Sequence, residues 1–221
     1  EYKCVNVFEE SGRFVGKLCQ NKLLGPKGIC INKAFQNQIV VADSKANSIC
    51  IFSSDGKFLS RFGNLGMKNE KYENFAGPQY CACLSNGDIA ITDFYNHSIK
   101  VFDCFGQYKY AFGSKGSNQG QFNGPTGIAA DKQDNIIVVD WGNSRIQVIN
   151  LILYFNCLII KLTKLTVFFV FQKVFDKKGT FLKYVNSEFN QLYGPQDLAV
   201  INNTIAVADS GNHCVKIFEF V

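Results

Sequence analysis

Histidine, tryptophan, methionine and proline are scarce: two, one, one and four residues in a chain of 221. So few histidines leave little for a His-based metal or acid–base centre. His97 and His213 also each follow an asparagine, Asn96 and Asn212, which points to a shared place in a turn. No Gly-x-Ser-x-Gly, His-Glu-x-x-His or phosphate-cradling glycine loop occurs, so the common signatures of hydrolases, zincins and nucleotide-binding enzymes are missing. No segment keeps an apolar period of 3.6 residues between helix caps. The nine cysteines contain no Cys-x-x-Cys, which argues against a zinc ribbon or a dithiol redox motif.

What is present is a repeat. All four prolines stand in the same dipeptide: Gly25-Pro26, Gly77-Pro78, Gly124-Pro125 and Gly194-Pro195. Each proline is followed 14 to 17 residues later by an aspartate that ends an apolar run: Asp43, Asp93, Asp140 and Asp209. Six residues past each aspartate comes a β-branched residue, Ile49, Ile99, Ile146 or Val215, and in three cases an aromatic follows three further on, Phe52, Phe102 or Phe218. Val5, Phe8 and Gly12 keep the same intervals at the start. Each unit therefore holds about four short strands separated by Gly, Asn and Asp turns. Such units, repeating every 44 to 52 residues once one insertion is set aside, predict an all-β fold, a β-propeller of four-stranded blades. One blade cannot cover both of its own faces, whereas stacked blades can. Residues 1–221 read as a propeller fragment, with a partial blade at 1–24 and repeats starting near 25, 77, 124 and 194.

The third repeat breaks the ruler. Removing residues 148–173 restores the interval from Ile146 to the next aromatic, Phe175, and brings the Gly-Pro spacing from 70 to 44. The extra 26 residues contain no acidic residue, glycine or proline, and correspond to 78 nucleotides. They read as an unspliced intron or a gene-model error. A membrane span is the rival reading, but Asn150–Ile160 offers only 11 uncharged residues where roughly 20 are needed.

The formal charge is +5; without Lys161, Lys164 and Lys173 of the insertion it falls to 20 basic against 18 acidic residues. That is not the concentrated basic face of a dedicated nucleic-acid binder. The scattered cysteines read as reduced thiols of a cytosolic protein. Cys81-Ala-Cys83 places two on one strand face, without further ligands for a metal. The repeated aspartates end strands at turns, where binding backbone N–H groups is their ordinary role. Candidate binding residues lie on the loops between second and third strands and on the crossovers between blades. They are Tyr80, Phe94, Tyr95, His97, Trp141, Asn143, Arg145 and His213, with the Lys-rich stretch Met67–Tyr72 beside them. Aromatics and arginine at loop tips are what interface hot spots use, and exposed rings also stack on bases. For Arg145 the alternative is pairing with a turn acid, and for Trp141 it is covering a neighbouring blade.

Asp209-Ser210-Gly211-Asn212-His213, set in the unit from Gly194-Pro195 to Phe218, is similar to the NHL repeat. Gly120 to Gly127, Asp140 to Gln147 and Thr92 to Ser98 resemble the propeller of the tripartite-motif ubiquitin ligases, most narrowly the subgroup of tripartite-motif proteins two and three. The resemblance covers the chain except 148–173. In the first repeat, Asp43-Ser44-Lys45-Ala46-Asn47 departs from it, with alanine where the others have asparagine. The family propeller has six blades, and about four to five are expected here. The resemblance implies a non-catalytic, cytoplasmic partner-recognition propeller for protein substrates in ubiquitin-dependent degradation. Its alternative is a propeller that binds single-stranded RNA and represses translation. It implies no membrane contact and no cofactor in this chain. Zinc belongs to an upstream RING and B-box, and oligomerisation to an upstream coiled coil.

Overall fold

A computed structural model describes residues 3–63, 74–149, 181–185, 191–202 and 204–219. Residues Met67–Tyr72, and most of the 148–173 insertion, lie outside them. The architecture is a series of antiparallel meanders. A hairpin of β1 (Val5–Phe8) and β2 (Phe14–Leu18) comes first. The first full sheet is β3 (Pro26–Asn32), β4 (Gln38–Asp43), β5 (Ser48–Phe52) and β6 (Phe58–Gly63). The second is β7 (Pro78–Cys83), β8 (Ile89–Asp93), β9 (Ser98–Phe102) and β10 (Tyr108–Phe112). The third is β11 (Pro125–Ala130), β12 (Ile136–Asp140), β13 (Arg145–Ile149) and β14 (Phe181–Tyr184). The last has three described strands, β15 (Pro195–Ile201), β16 (Thr204–Asp209) and β17 (Cys214–Glu219). The expected four-stranded blades are thus present, and each first strand opens at the proline of a Gly-Pro pair.

Sheet stacking explains the apolar runs. In β5, β8, β9 and β12 every residue is buried, because a neighbouring sheet covers each face. One core joins the first and second sheets through Val40, Ile49, Ile51, Ile89, Ile91 and Phe102. A second joins the second and third through Ile99, Val101, Phe122, Ile136 and Val138. A third joins the third and fourth through Ile137, Ile146, Val148, Leu198, Ile205 and Val207. Each fully buried isoleucine contributes about 1.5–3 kcal/mol relative to exposure. The fourth sheet has one covered face; on the other, Val215 and Ile217 are 65% and 59% exposed.

The first isoleucine of each second strand faces the aromatic position of the third: Ile39 opposite Phe52, Ile89 opposite Phe102, and Ile205 opposite Phe218. In the third sheet Ile136 meets Ile149 there, and β14 supplies the outer strand from beyond the insertion. The first residues of the extra segment, Val148 and Ile149, therefore belong to β13.

All four first strands carry one extra residue just after the proline, at Pro26/Ile29, Pro78/Cys81, Pro125/Ile128 and Pro195/Asp197. Such bulges re-aim side chains. Adjacent first strands also approach closely. A Cβ on Gly28 would lie 2.4 Å from the Tyr80 Cα, and one on Gly127 would lie 2.5 Å from the Asp197 Cα.

Candidate binding face

The repeated aspartates build the platform. One oxygen of each accepts the N–H of the residue before its own Gly-Pro: Leu24 at 2.9 Å from Asp43, Ala76 at 2.7 Å from Asp93, Asn123 at 2.7 Å from Asp140, and Tyr193 at 2.8 Å from Asp209. Asp43 accepts the Gly25 N–H as well, at 2.6 Å. The other oxygen takes an asparagine amide three residues on: Asn96 at 2.7 Å, Asn143 at 2.8 Å and Asn212 at 2.7 Å. A cation completes each set: Lys100 at 2.8 Å from Asp93, Arg145 at 2.6 Å from Asp140, and Lys216 at 2.8 Å from Asp209. In the first sheet, where Ala46 replaces the asparagine, Arg61 reaches Asp43 at 3.7 Å from β6. All four aspartates are completely buried. For Asp209, burial pushes the carboxyl up, but Lys216, Asn212 and the Tyr193 N–H outweigh it and hold it below the usual range. Turn construction is therefore what these carboxylates do. Among the described residues no group of three or more His, Cys, Asp or Glu is arranged to hold a metal ion.

The fourth residue after each aspartate adopts a left-handed backbone: Asn47, His97, Ser144 and His213, with φ near 50°. Two of these reach the following sheet. The Asn47 Oδ1 accepts the Gly77 N–H at 2.8 Å, and the His97 Nδ1 accepts the Gly124 N–H at 3.0 Å. Accepting through Nδ1 requires a neutral ring. Burial, then Lys115, lower the His97 pKa against a smaller opposing pull from Asp140.

The loop aromatics pack on the same glycines. Phe94 lies over Gly124, Tyr95 over Gly77, and the Trp141 Nε1 is 3.6 Å from where a Gly194 Cβ would sit. The Phe94 and Tyr95 rings meet edge-on at 5.0 Å, and Phe94 and Trp141 are 6.0 Å apart. Tyr95 and Trp141 remain 69% and 42% exposed. These three rings wall a hollow of about 220 Å³, whose other lining residues are Lys27, Gln79, Thr126 and Gln196. Those four are the residues after each proline, delivered by the four bulges. Thr126 is buried, and its hydroxyl has no hydrogen-bond partner among the described residues. An adjoining hollow of about 520 Å³ shares Lys27, Gln79 and Tyr95 and adds Lys45. Among the described residues neither lining includes a carboxylate.

Of the sequence-derived candidates, Phe94, Tyr95 and Trp141 thus converge. His97, Asn143 and Arg145 serve internal contacts instead. Asn143 donates to Asp140 and to the Gly116 carbonyl at 2.9 Å. Arg145 donates to Asp140, to the Ser117, Asn118 and Gln121 carbonyls and to the Tyr184 hydroxyl, at 2.6 to 3.0 Å. Tyr80 packs half-buried against the second core, and burial, then Asp197, raise its pKa. His213 caps the turn before β17 and is exposed, away from the aromatic hollow. The sequence reading missed Lys27, Thr126 and Gln196; the shared position after Gly-Pro was the signal. No helix among the described residues is long and apolar enough to cross a membrane.

The NHL repeat pattern matches residues 81–102, 122–149 and 192–218. Protein brain tumor of Drosophila melanogaster is 32% identical over 52% of this chain and 10% of its own length. The human E3 ubiquitin-protein ligase NHLRC1 is 30% identical over 53% of this chain and 27% of its own. The WD40 β-propeller domain of Doa1 superposes with a TM-score of 0.62 at 13% identity, over 98% of this chain and 57% of that one, which supports the fold alone. The chain spans about a tenth and about a quarter of the two curated relatives. Three matched segments, each holding an Asp turn and the strands around it, sit on sheets stacked as blades: the chain carries NHL repeats on a β-propeller fold.

Proposed function

We propose that this chain is a non-catalytic partner-recognition propeller for protein substrates in a cytoplasmic tripartite-motif ubiquitin ligase. The carrying observation is the wall of Phe94, Tyr95 and Trp141 around a hollow floored by Lys27, Gln79, Thr126 and Gln196. Exposed rings offer apolar area, and the amides and hydroxyl offer hydrogen bonds to a peptide backbone. The human relative, an E3 ubiquitin-protein ligase, supports the ligase context. In this reading the RING and B-box zinc, and the coiled coil that oligomerises the protein, belong to other parts of the polypeptide. Residues 148–173 are proposed to be a retained intron, and sequencing a transcript that joins Gln147 directly to Val174 tests that.

A second reading, single-stranded RNA bound for translational repression, is favoured by the stackable rings beside Lys27 and Lys45, with no carboxylate among the described lining residues. One experiment separates the two. The 221-residue chain and its Phe94→Ala/Trp141→Ala variant are titrated against a peptide array and a single-stranded RNA pool at about 50 and 200 mM salt. Hot-spot truncations cost about 2 kcal/mol or more each, so at least a 30-fold loss of peptide binding is expected, with little change across salt. RNA affinity that falls steeply with salt favours the second reading. Peptide binding unaffected by the double substitution removes the proposed face.

A further inference from the structure

The first strands of the first two blades bring three cysteines together. Cys30 on β3 lies 3.4 Å from the Cys81 sulfur and 3.1 Å from the Cys83 sulfur on β7. Cys81 and Cys83 share a strand face about 6.6 Å apart along the strand, so Cys30 sits against both. Among the described residues the two blades are held together by packing and by a few hydrogen bonds, such as that from the Gly77 N–H to Asn47. The three thiols differ in their surroundings. Cys81 is buried and approaches the Val40 carbonyl at 3.5 Å, which ties it to β4. Cys83 is half-buried and opens on a cavity of about 400 Å³ at the far end of the first strands from the aromatic hollow. That cavity is lined by Ile31, Leu84, Ala130 and Val200 among others.

We propose that Cys30 and Cys83 form an oxidation site in which a small hydroperoxide, entering through this cavity, converts the pair into a disulfide that staples the first blade to the second. The Cys83 sulfur attacks the peroxide, breaks its O–O bond and becomes a sulfenic acid, releasing water when hydrogen peroxide is the oxidant. The Cys30 sulfur, already in contact, then attacks the sulfenic sulfur. The S–S bond forms, the S–O bond breaks, and the hydroxide leaves as water with the Cys30 proton. In sum, two thiols and one peroxide give one disulfide and two waters. Cys81 plays the reserve part: its contact with Cys30 allows thiol–disulfide exchange within the cluster.

The division of roles follows from the environment. Contacts with the Cys81 and Cys83 thiols, together with burial, raise the Cys30 pKa well above the ordinary thiol value. A thiol held protonated is a poor first nucleophile, which leaves Cys83, at the cavity, to meet the oxidant. Cys30 then acts as the resolving sulfur, where contact matters more than acidity.

The test uses the 221-residue chain treated with hydrogen peroxide, alkylated, digested with trypsin without reduction and analysed by mass spectrometry. The expected product joins residues 28–33 to residues 72–100, two mass units below the sum of the two peptides. It persists in Cys81→Ala and disappears in Cys83→Ala. The oxidised protein also melts at a higher temperature than the reduced one, and reduction reverses the shift. Both reduced variants are melted first, and each must unfold as cooperatively as the reduced parent. Two results overturn the proposal: Cys30 and Cys83 remain fully alkylatable after peroxide while exposed Cys214 is oxidised, or the cross-link survives in Cys83→Ala.

Discussion

Arg145 separates a structural from a recognition reading most sharply, through replacement by alanine. Its guanidinium gives five hydrogen bonds, to Asp140, three backbone carbonyls and the Tyr184 hydroxyl, and its charge stands 5.0 Å from the Tyr184 ring centre. Arg145 is 8% exposed, and Asp140 is fully buried. Removing one partner of a buried pair costs about 3–5 kcal/mol, because the other charge stays behind. Asp140 would keep the Asn123 N–H, the Asn143 amide and the Gln147 amide at 2.7 to 3.0 Å, which places the loss at the lower end. The Gln121 carbonyl would likewise keep the Gln147 amide at 2.7 Å, whereas the Ser117 and Asn118 carbonyls would lose this donor. A destabilisation of about 3–4 kcal/mol is expected, on the order of 6–16 °C in Tm for a chain of this size. Urea unfolding followed by Trp141 fluorescence and by circular dichroism measures it. Adding Asp140→Asn to Arg145→Ala removes the orphaned charge, so the double variant loses less than the sum of the singles. An Arg145→Ala protein within about 0.5 kcal/mol of the parent, the usual range for a surface change, would refute this reasoning and return Arg145 to the binding surface.

Other outcomes follow from the same structure. Phe102→Ala, which empties a site between Phe62 at 4.8 Å and Phe75 at 5.4 Å, is expected to cost about 3–5 kcal/mol by chemical denaturation. Gly28→Ala forces a Cβ against the Tyr80 backbone; it should destabilise by about 1–3 kcal/mol, the usual cost of overpacking, read by Tm. The folded-state pKa of His97 is lowered, so the folded protein binds fewer protons there than the unfolded chain. Its contribution is present above the unfolded value of about 6.5 and is lost as pH falls through the lower folded value. His97→Gln should flatten that part of a stability–pH curve. A Cys30–Cys83 bridge closes a loop of 53 residues, which the chain-entropy relation values at about 4 kcal/mol, measured as the difference between oxidised and reduced protein in urea.

The blades were readable because stacking asks the same thing of every unit. A middle strand covered on both faces must be a continuous apolar run, and a Gly-Pro entry and an Asp turn must recur at each blade. The aromatic wall was readable in part, since Phe94 and Trp141 follow the repeated aspartates directly. Its floor was not. Lys27, Gln79, Thr126 and Gln196 share a position but no single chemistry, being one lysine, two glutamines and one threonine, and the bulges that aim them leave no compositional mark. Arg145 looked like a loop-tip arginine because its three carbonyl partners lie 24 to 28 residues away in sequence. The sequence showed Cys81 and Cys83 on one face, but Cys30 reaches them only when two blades stack. Met67–Tyr72 lies outside the described residues, so its placement on the binding side has no structural counterpart.

The left-handed residue after each turn gives the stacking a polarity. Asn47 and His97 present an acceptor on one side of a blade, and Gly77 and Gly124 answer with an N–H from the next. Donor and acceptor faces differ, so the joint is head-to-tail. Joints of that kind close into rings when the rotation per unit allows it and otherwise continue as open stacks. Two copies meeting through their end blades by this same joint would form a directional assembly rather than a two-fold dimer. In the fourth sheet His213 holds the same left-handed position, so a blade stacked there in register meets the kind of side chain that His97 presents to Gly124.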